Sequence, residues 1–344
     1  MNQREYLTRL IDARTATNIA QVRTQRYIRE ALQAAYNEIA DILALKSPGT
    51  LTHAYYLGRK AEIEGILHQM ALDINSNTRF GMRYASSQVT GLYKELASRY
   101  AGDPAIIRAM QGAFSTVPID AVANEIHRIY PDGRSFSQRI WRLDRTSRRG
   151  VNQIITKGIA RGQSAVKMSR ELRRYLYDPS LQPGTTWTTH ATKSVTGRGT
   201  IHYNALRLAA TEINNAYRES MALLNGRSPV TYGLKWHLSA SHPILDICDV
   251  WADSDLYGMG PGVYPSAAIP IDHPGGKCYF TDVLRPANQW SMPKPEPAVR
   301  LHARESILAP LSSKKGVTPG MLNAAWKVYQ NTQDLVKKAY PKAA

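Results

Sequence analysis

The sequence predicts a mainly α protein with a small α+β domain near its C-terminus and long helices in its N-terminal part. Three observations carry that expectation. From Asp12 to Leu45 there is neither Gly nor Pro, and Ile19, Val22, Ile28, Leu32, Tyr36, Ile39 and Leu43 recur at three- and four-residue steps, the mark of one helix face. From Arg139 to Arg174 the apolar residues Ile140, Leu143, Val151, Ile154, Ile155 and Ile159 keep the same spacing. Alternation of period two, the mark of a half-buried strand, appears late in the chain, in residues 231–238, with a second candidate strand in residues 278–284.

Taken in order, the first helix stops at Lys46-Ser-Pro-Gly49, which holds both breakers. A second helix is predicted from Leu51 to about Ile74 (Tyr55, Leu57, Ile63, Ile66, Met70) and a third over roughly 84–100 (Val89, Leu92, Leu96). These runs read either as a plain helical bundle or as arms that dock on partner subunits. In the stretch 139–174 eleven Lys/Arg stand against two acids, Asp144 and Glu171, so the charges occupy the faces away from the apolar seam. Gly158 and Gly162 are expected to loosen this helix and Gly162 to end it, with Ser164 capping the next one through Val166, Met168 and Leu172 to Tyr175.

Pro179, Pro183 and Gly184 then open a Thr/Gly-rich connection, and no acid occurs from Pro179 to Ala210. It reads as a loop contacting DNA or a neighbouring subunit, or as a disordered insertion. A helix resumes near Tyr203 with the stripe Leu206, Ala210, Ile213, Tyr217, Met221 and Leu224, while Arg207, Thr211, Glu212, Asn214 and Arg218 fall off that stripe; Asn225-Gly226 ends it. Gly258-Met-Gly-Pro-Gly262 reads as a turn. After the second strand comes a Pro-rich linker, 291–298, then a last helix opened by Thr318-Pro319 with Leu322, Trp326, Tyr329 and Val336. The expected regions are 1–130 (helical), 131–230 (basic, helical), 231–290 (small, β-containing) and 291–344 (linker and helix).

Composition narrows the class. A length of 344 residues suggests about two domains, and 43% hydrophobic residues is too many for a wholly disordered chain. No stretch of about 18 apolar residues exists, so no membrane span is expected. The start, Met1-Asn-Gln-Arg-Glu-Tyr-Leu7, has no apolar h-region, so no signal peptide is expected either. Two cysteines exclude a disulfide-rich secreted scaffold. The picture is a soluble protein made inside the cell. Its 44 Lys+Arg against 27 Asp+Glu leave +17, which points to a polyanion partner, nucleic acid first. The bland alternative is charge that only keeps the surface soluble.

Between the two strands lie Ser241-His-Pro-Ile-Leu-Asp-Ile-Cys-Asp249 and Asp272-His-Pro-Gly-Gly-Lys-Cys278. Each cysteine follows a histidine by five or six residues, so His242, Cys248, His273 and Cys278 can surround one tetrahedral zinc, with Asp246 as a substitute. Four protein ligands leave no open position, which makes such a zinc structural. Two other readings stand beside it: a disulfide, or buried inert thiols. P-loop, Gly-x-Ser-x-Gly, His-Glu-x-x-His and dinucleotide signatures are missing from the sequence. His53, His68 and His127 read as surface or packing residues.

Arg139-Ile-Trp141, Ile159-Ala-Arg-Gly-Gln-Ser164, Leu208-Ala-Ala-Thr-Glu-Ile-Asn-Asn-Ala-Tyr217 and His273-Pro-Gly-Gly-Lys-Cys278 follow one another in an order that resembles the phage head morphogenesis (Mu F-like) minor head proteins, over roughly residues 135–285. That family commonly has Cys-x-x-Cys before the loop and His-Pro-x-Cys-x-Cys after it. Here Cys248 stands alone, Gly276 takes the place of the first cysteine of the second half, and Cys278 keeps the final position; His242 makes up the number. The resemblance implies a structural component of a tailed-phage head, present in few copies near the portal vertex and associated with capsid assembly and, in some phages, with DNA delivery.

The expected function is therefore a non-enzymatic minor capsid protein, assembled in the host cytoplasm and located in the virion, inside the head. It is expected to bind the portal protein and the major capsid protein or scaffold, and to contact the double-stranded DNA genome without sequence specificity. The DNA contacts are expected at Arg145, Arg148, Arg149, Lys157, Arg161, Arg170 and Arg173. Ejection with the genome is one expected fate. The alternatives are a metal-dependent hydrolase or toxin-like effector using His237, Asp249 and His273, or an assembly factor absent from finished particles. About 55 residues follow the shared module, too few for an ordinary catalytic domain.

Overall fold

The computed structural model describes residues 3–44, 51–100, 104–130, 133–178, 200–240, 242, 247–272, 276–286 and 289, together with 308, 319, 320, 322, 323, 326 and 330. The predicted stop at 46–49, the connection 179–199, the linker 291–298 and most of the last helix lie outside these residues.

Helix α1 (Gln3–Ala44) packs along helix α2 (His53–Tyr100), which at 1.5 Å per residue is roughly 70 Å long. The two helices expected over 51–74 and 84–100 are thus one. The poor helix formers between them do not break it, because tertiary packing holds the stretch: Gly81 lies against Thr24 and Ile213, where a Cβ would overlap both side chains. On α1 the expected stripe is kept at Ile28, Leu32, Ile39 and Leu43, but Ile19 and Val22 are exposed and Thr17, Thr24 and Gln25 take the buried positions. Two short helices not read from the sequence follow, α3 (Pro104–Ser115) and α4 (Val117–His127), each with proline in its first turn, where its missing N–H costs nothing.

Helix α5 (Phe136–Ala160) opens with a complete capping box between Ser135 and Gln138. Gly158 does not loosen it; it and Gly150 lie where a side chain would overlap Met168 and Tyr175 of α6 (Ala165–Leu176), so the glycines bring the two helices together. Gly162, at φ 62, turns the chain between them, and Ser164 caps α6 by accepting from the Lys167 N–H. Helix α7 (Ile201–Arg227) is then enclosed by α1, α2, α4, α5 and the sheet. For that reason Thr211, Glu212, Asn214 and Arg218, which lie off its apolar stripe, are buried as well.

The sheet is small and antiparallel, in the order β2-β1-β3, from β1 (Thr231–His237), β2 (Val263–Tyr264) and β3 (Tyr279–Leu284). Trp236 pairs with Phe280 across β1 and β3, and their rings meet edge to face at 5.0 Å. A short helix, α8 (Ile247–Asp253), crosses between β1 and β2 and buries Trp251 against Tyr264. The strand predicted from alternation and the second candidate strand are present as β1 and β3.

One polar knot ties the N-terminal helices to this sheet. The buried Asp282 on β3 accepts from Tyr6 Oη (2.7 Å) and Asn225 Nδ2 (2.6 Å), and also from Tyr93, while its own N–H donates to Tyr6 Oη at 2.9 Å. Hydrophobic contacts run without a gap from α1 through α7 to β3, so the regions 1–130, 131–230 and 231–290 share one core. Among the described residues no helix is long and apolar enough to cross a membrane.

Candidate functional site: a thiol–imidazole cluster and a basic helix face

The first site lies where β1, α8 and the segment before β3 meet. His242 Nδ1 stands 3.9 Å from Cys278 Sγ, and its Nε2 stands 3.1 Å from Asp249 Oδ2. Cys248 donates to Asp272 Oδ1 at 3.4 Å. Both thiols are buried and unbridged. Hydrogen bonding with the neighbouring Cys248 thiol brings the Cys278 thiol down to about 7 against the opposing effect of burial, and the Ser239 backbone adds to the lowering.

A frame that sequence reasoning missed holds this cluster. Arg218 of α7 pairs with Asp272 Oδ2, donates to the Cys278 carbonyl at 2.6 Å and lies over the Trp236 ring at 5.6 Å. Asn214 donates to the Gly276 carbonyl at 2.7 Å. The signal was present in the motif Glu212 to Tyr217, whose polar residues are too many for a plain amphipathic stripe. The frame also accounts for a glycine at 276: a Cβ there would overlap the Asp272 carboxylate. Beside the cluster, a cleft of about 650 Å³ is lined by Arg14, Asn214, Lys277 and Tyr279.

Of the four expected donors, His242, Cys248 and Cys278 are brought together; His273 and the substitute Asp246 lie outside the described residues. Among the described residues no group of three or more His, Cys, Asp or Glu side chains is arranged to hold a metal ion. Of the hydrolytic set, His237 and Asp249 are described and make separate contacts, while His273 lies outside the described residues. Asp249 serves His242, whereas His237 bonds Thr281 at 2.8 Å and stacks on Tyr279.

A second buried polar group lies between α4, α5 and α7. Tyr130 Oη is 2.7 Å from both Glu125 Oε2 and Glu212 Oε2 and accepts from Asn215 at 3.0 Å. A phenol has one proton to donate, so one of the two carboxyls carries its own. Burial, with the Glu125 charge adding to it, pushes Glu212 up to about 7, although Arg139 bonds it at 3.1 Å.

The basic face is formed by α5 and α6. Arg145, Arg149, Lys157, Arg161, Arg170 and Arg173 are all exposed, with Arg142, Lys167 and Arg174 beside them. Arg142, Arg145 and Arg149 follow at helical steps along α5, and among the described residues no acid lies within ion-pair reach of them. Arg148 differs. It is half-buried and pairs with the buried Asp144, so its charge is already balanced.

Compared with family models, curated proteins and solved structures, the chain finds no match in any of the three.

Proposed function

We propose that this chain is a non-enzymatic minor head protein of a tailed phage, bound at the portal or inner capsid surface and contacting packaged double-stranded DNA through its α5–α6 face. The observation that carries the reading is that face, where exposed cations lie at helical steps and, among the described residues, no acid lies within ion-pair reach of Arg142, Arg145 or Arg149. Packing on one side, through Ile140, Ile154 and Ile155, holds the arginines outward on the other. Contact with phosphates requires nothing more, and it is blind to sequence.

In the same reading the thiol cluster is structural. His242, Cys248 and Cys278, with His273 as the fourth donor, are the residues that would hold a zinc. Such an ion would cross-link α8 to the segment that leads into β3. Asp249 on the far nitrogen of His242 is the kind of carboxylate that orients a metal-binding imidazole, and a thiol near 7 is ready to ligate.

The test is duplex binding by full-length protein as a function of salt. Replacing Arg145, Arg149 and Arg173 by Glu is expected to weaken binding and to flatten the dependence of log K on log salt by roughly 0.9 for each phosphate contact removed. An unchanged affinity and slope would sink the proposal.

A further inference from the structure

The basic face carries an aromatic ring as well as charge. Trp141 of α5 is 46% exposed. Its ring stacks on His68 of α2, with centroids 5.6 Å apart and planes 16° from parallel. His68 is itself held, its Nδ1 3.5 Å from Asp144 Oδ2, and the same carboxylate oxygen binds Arg148. A fully buried acid therefore fixes one ring, which backs another. Helical spacing puts Arg145 one turn beyond Trp141 and Arg148 two turns beyond it on the same side, with Arg142 and Arg149 alongside.

Charge alone serves a duplex, whose bases stack on one another and turn only their edges to a visitor. A flat ring on the outside of a helix has no base face to meet there. An unpaired strand offers both phosphates and base faces, and a ring among cations is the means by which such strands are held. An apolar protein partner fits less well, because covering Trp141 would strip water from the arginines around it.

We infer that the His68–Trp141 shelf is a stacking site for a base of single-stranded DNA, with the flanking phosphates taken by Arg142, Arg145 and Arg149. The inference rests on the phosphate-binding reading of the α5–α6 face and adds a strand preference to it.

Anisotropy titration of the full chain with labelled oligothymidylate of about 16 nucleotides, and with a duplex of the same length, tests it. Trp141→Ala is expected to weaken the single strand at least about five-fold and leave the duplex within about two-fold, with Trp141→Phe recovering most of the loss. Equal loss on both ligands, or on neither, would overturn the shelf. Wild-type protein that binds duplex but not oligothymidylate would also overturn it, while leaving the phosphate reading intact. Binding of neither would remove the phosphate reading and the shelf with it. A preference of about ten-fold or more for oligouridylate would overturn the assignment to DNA. Should the alanine variant fail to fold, photocrosslinking of an iododeoxyuridine-substituted strand to wild-type protein decides: the crosslink is expected at Trp141, and crosslinks only elsewhere refute it.

Discussion

Cys278 shows how much of a residue's chemistry is set by its neighbours. It is buried, which by itself holds a thiol protonated, yet hydrogen bonding with the Cys248 thiol and the Ser239 backbone brings it down to about 7. Cys248 in turn leans on Asp272, and Asp272 is fixed by Arg218. Gly276 is small because that carboxylate occupies its side-chain space. If this set closes on zinc, elemental analysis of chain purified without chelator is expected to find about one zinc per chain, lost in Cys278→Ser and in His242→Ala. Metal-free protein with two titratable thiols would rule the zinc out.

Helix α7 is the element on which the other parts converge. It meets α4 and α5 through Tyr130, Glu125 and Arg139, the thiol cluster through Arg218 and Asn214, and β3 through Asn225. The Glu212 proton makes this packing sensitive to pH. Folded Glu212 titrates near 7 against its ordinary 4.5, so between those values the folded state holds a proton that the unfolded state has released. Stability is therefore expected to fall as pH rises from about 4.5 to about 7, by at most about 1.4 kcal/mol per unit from this group, and to level off above. Urea midpoints measured across that range for wild type and Glu212→Gln check this. The glutamine variant is expected to lose the slope, and parallel curves would exclude Glu212 as its source.

At the scale of the whole molecule, +17 is not spread evenly. The interior pairs its charges, as at Arg218 with Asp272 and Arg128 with Glu125, whereas Arg142, Arg145 and Arg149 of α5 and the cations of α6 are exposed to water. Under the proposed function, the chain is expected in full virions. Quantitative mass spectrometry of particles before and after triggered genome release tests this: loss on release means ejection with the DNA, and retention means a fixed portal or capsid component. Absence from full particles would favour an assembly factor.

Helix α5, the turn at Gly162, the Ser164 cap and strands β1 and β3 were legible in the sequence, because each depends on local periodicity or on a cap within four residues. The basic character of the α5–α6 face was legible for the same reason. The continuity of α2 was not, since its middle is held helical by Thr24 and Ile213, distant in the chain. Nor was the burial of Glu212, Asn214 and Arg218, which follows from α7 being surrounded rather than from its own pattern. The pairing of Asp249 with His242, the balancing of Arg148 by Asp144 and the stacking of Trp141 on His68 depend on distances between side chains, some across separate elements. Periodicity tells which residues turn inward; only the packed chain determines which of them meet.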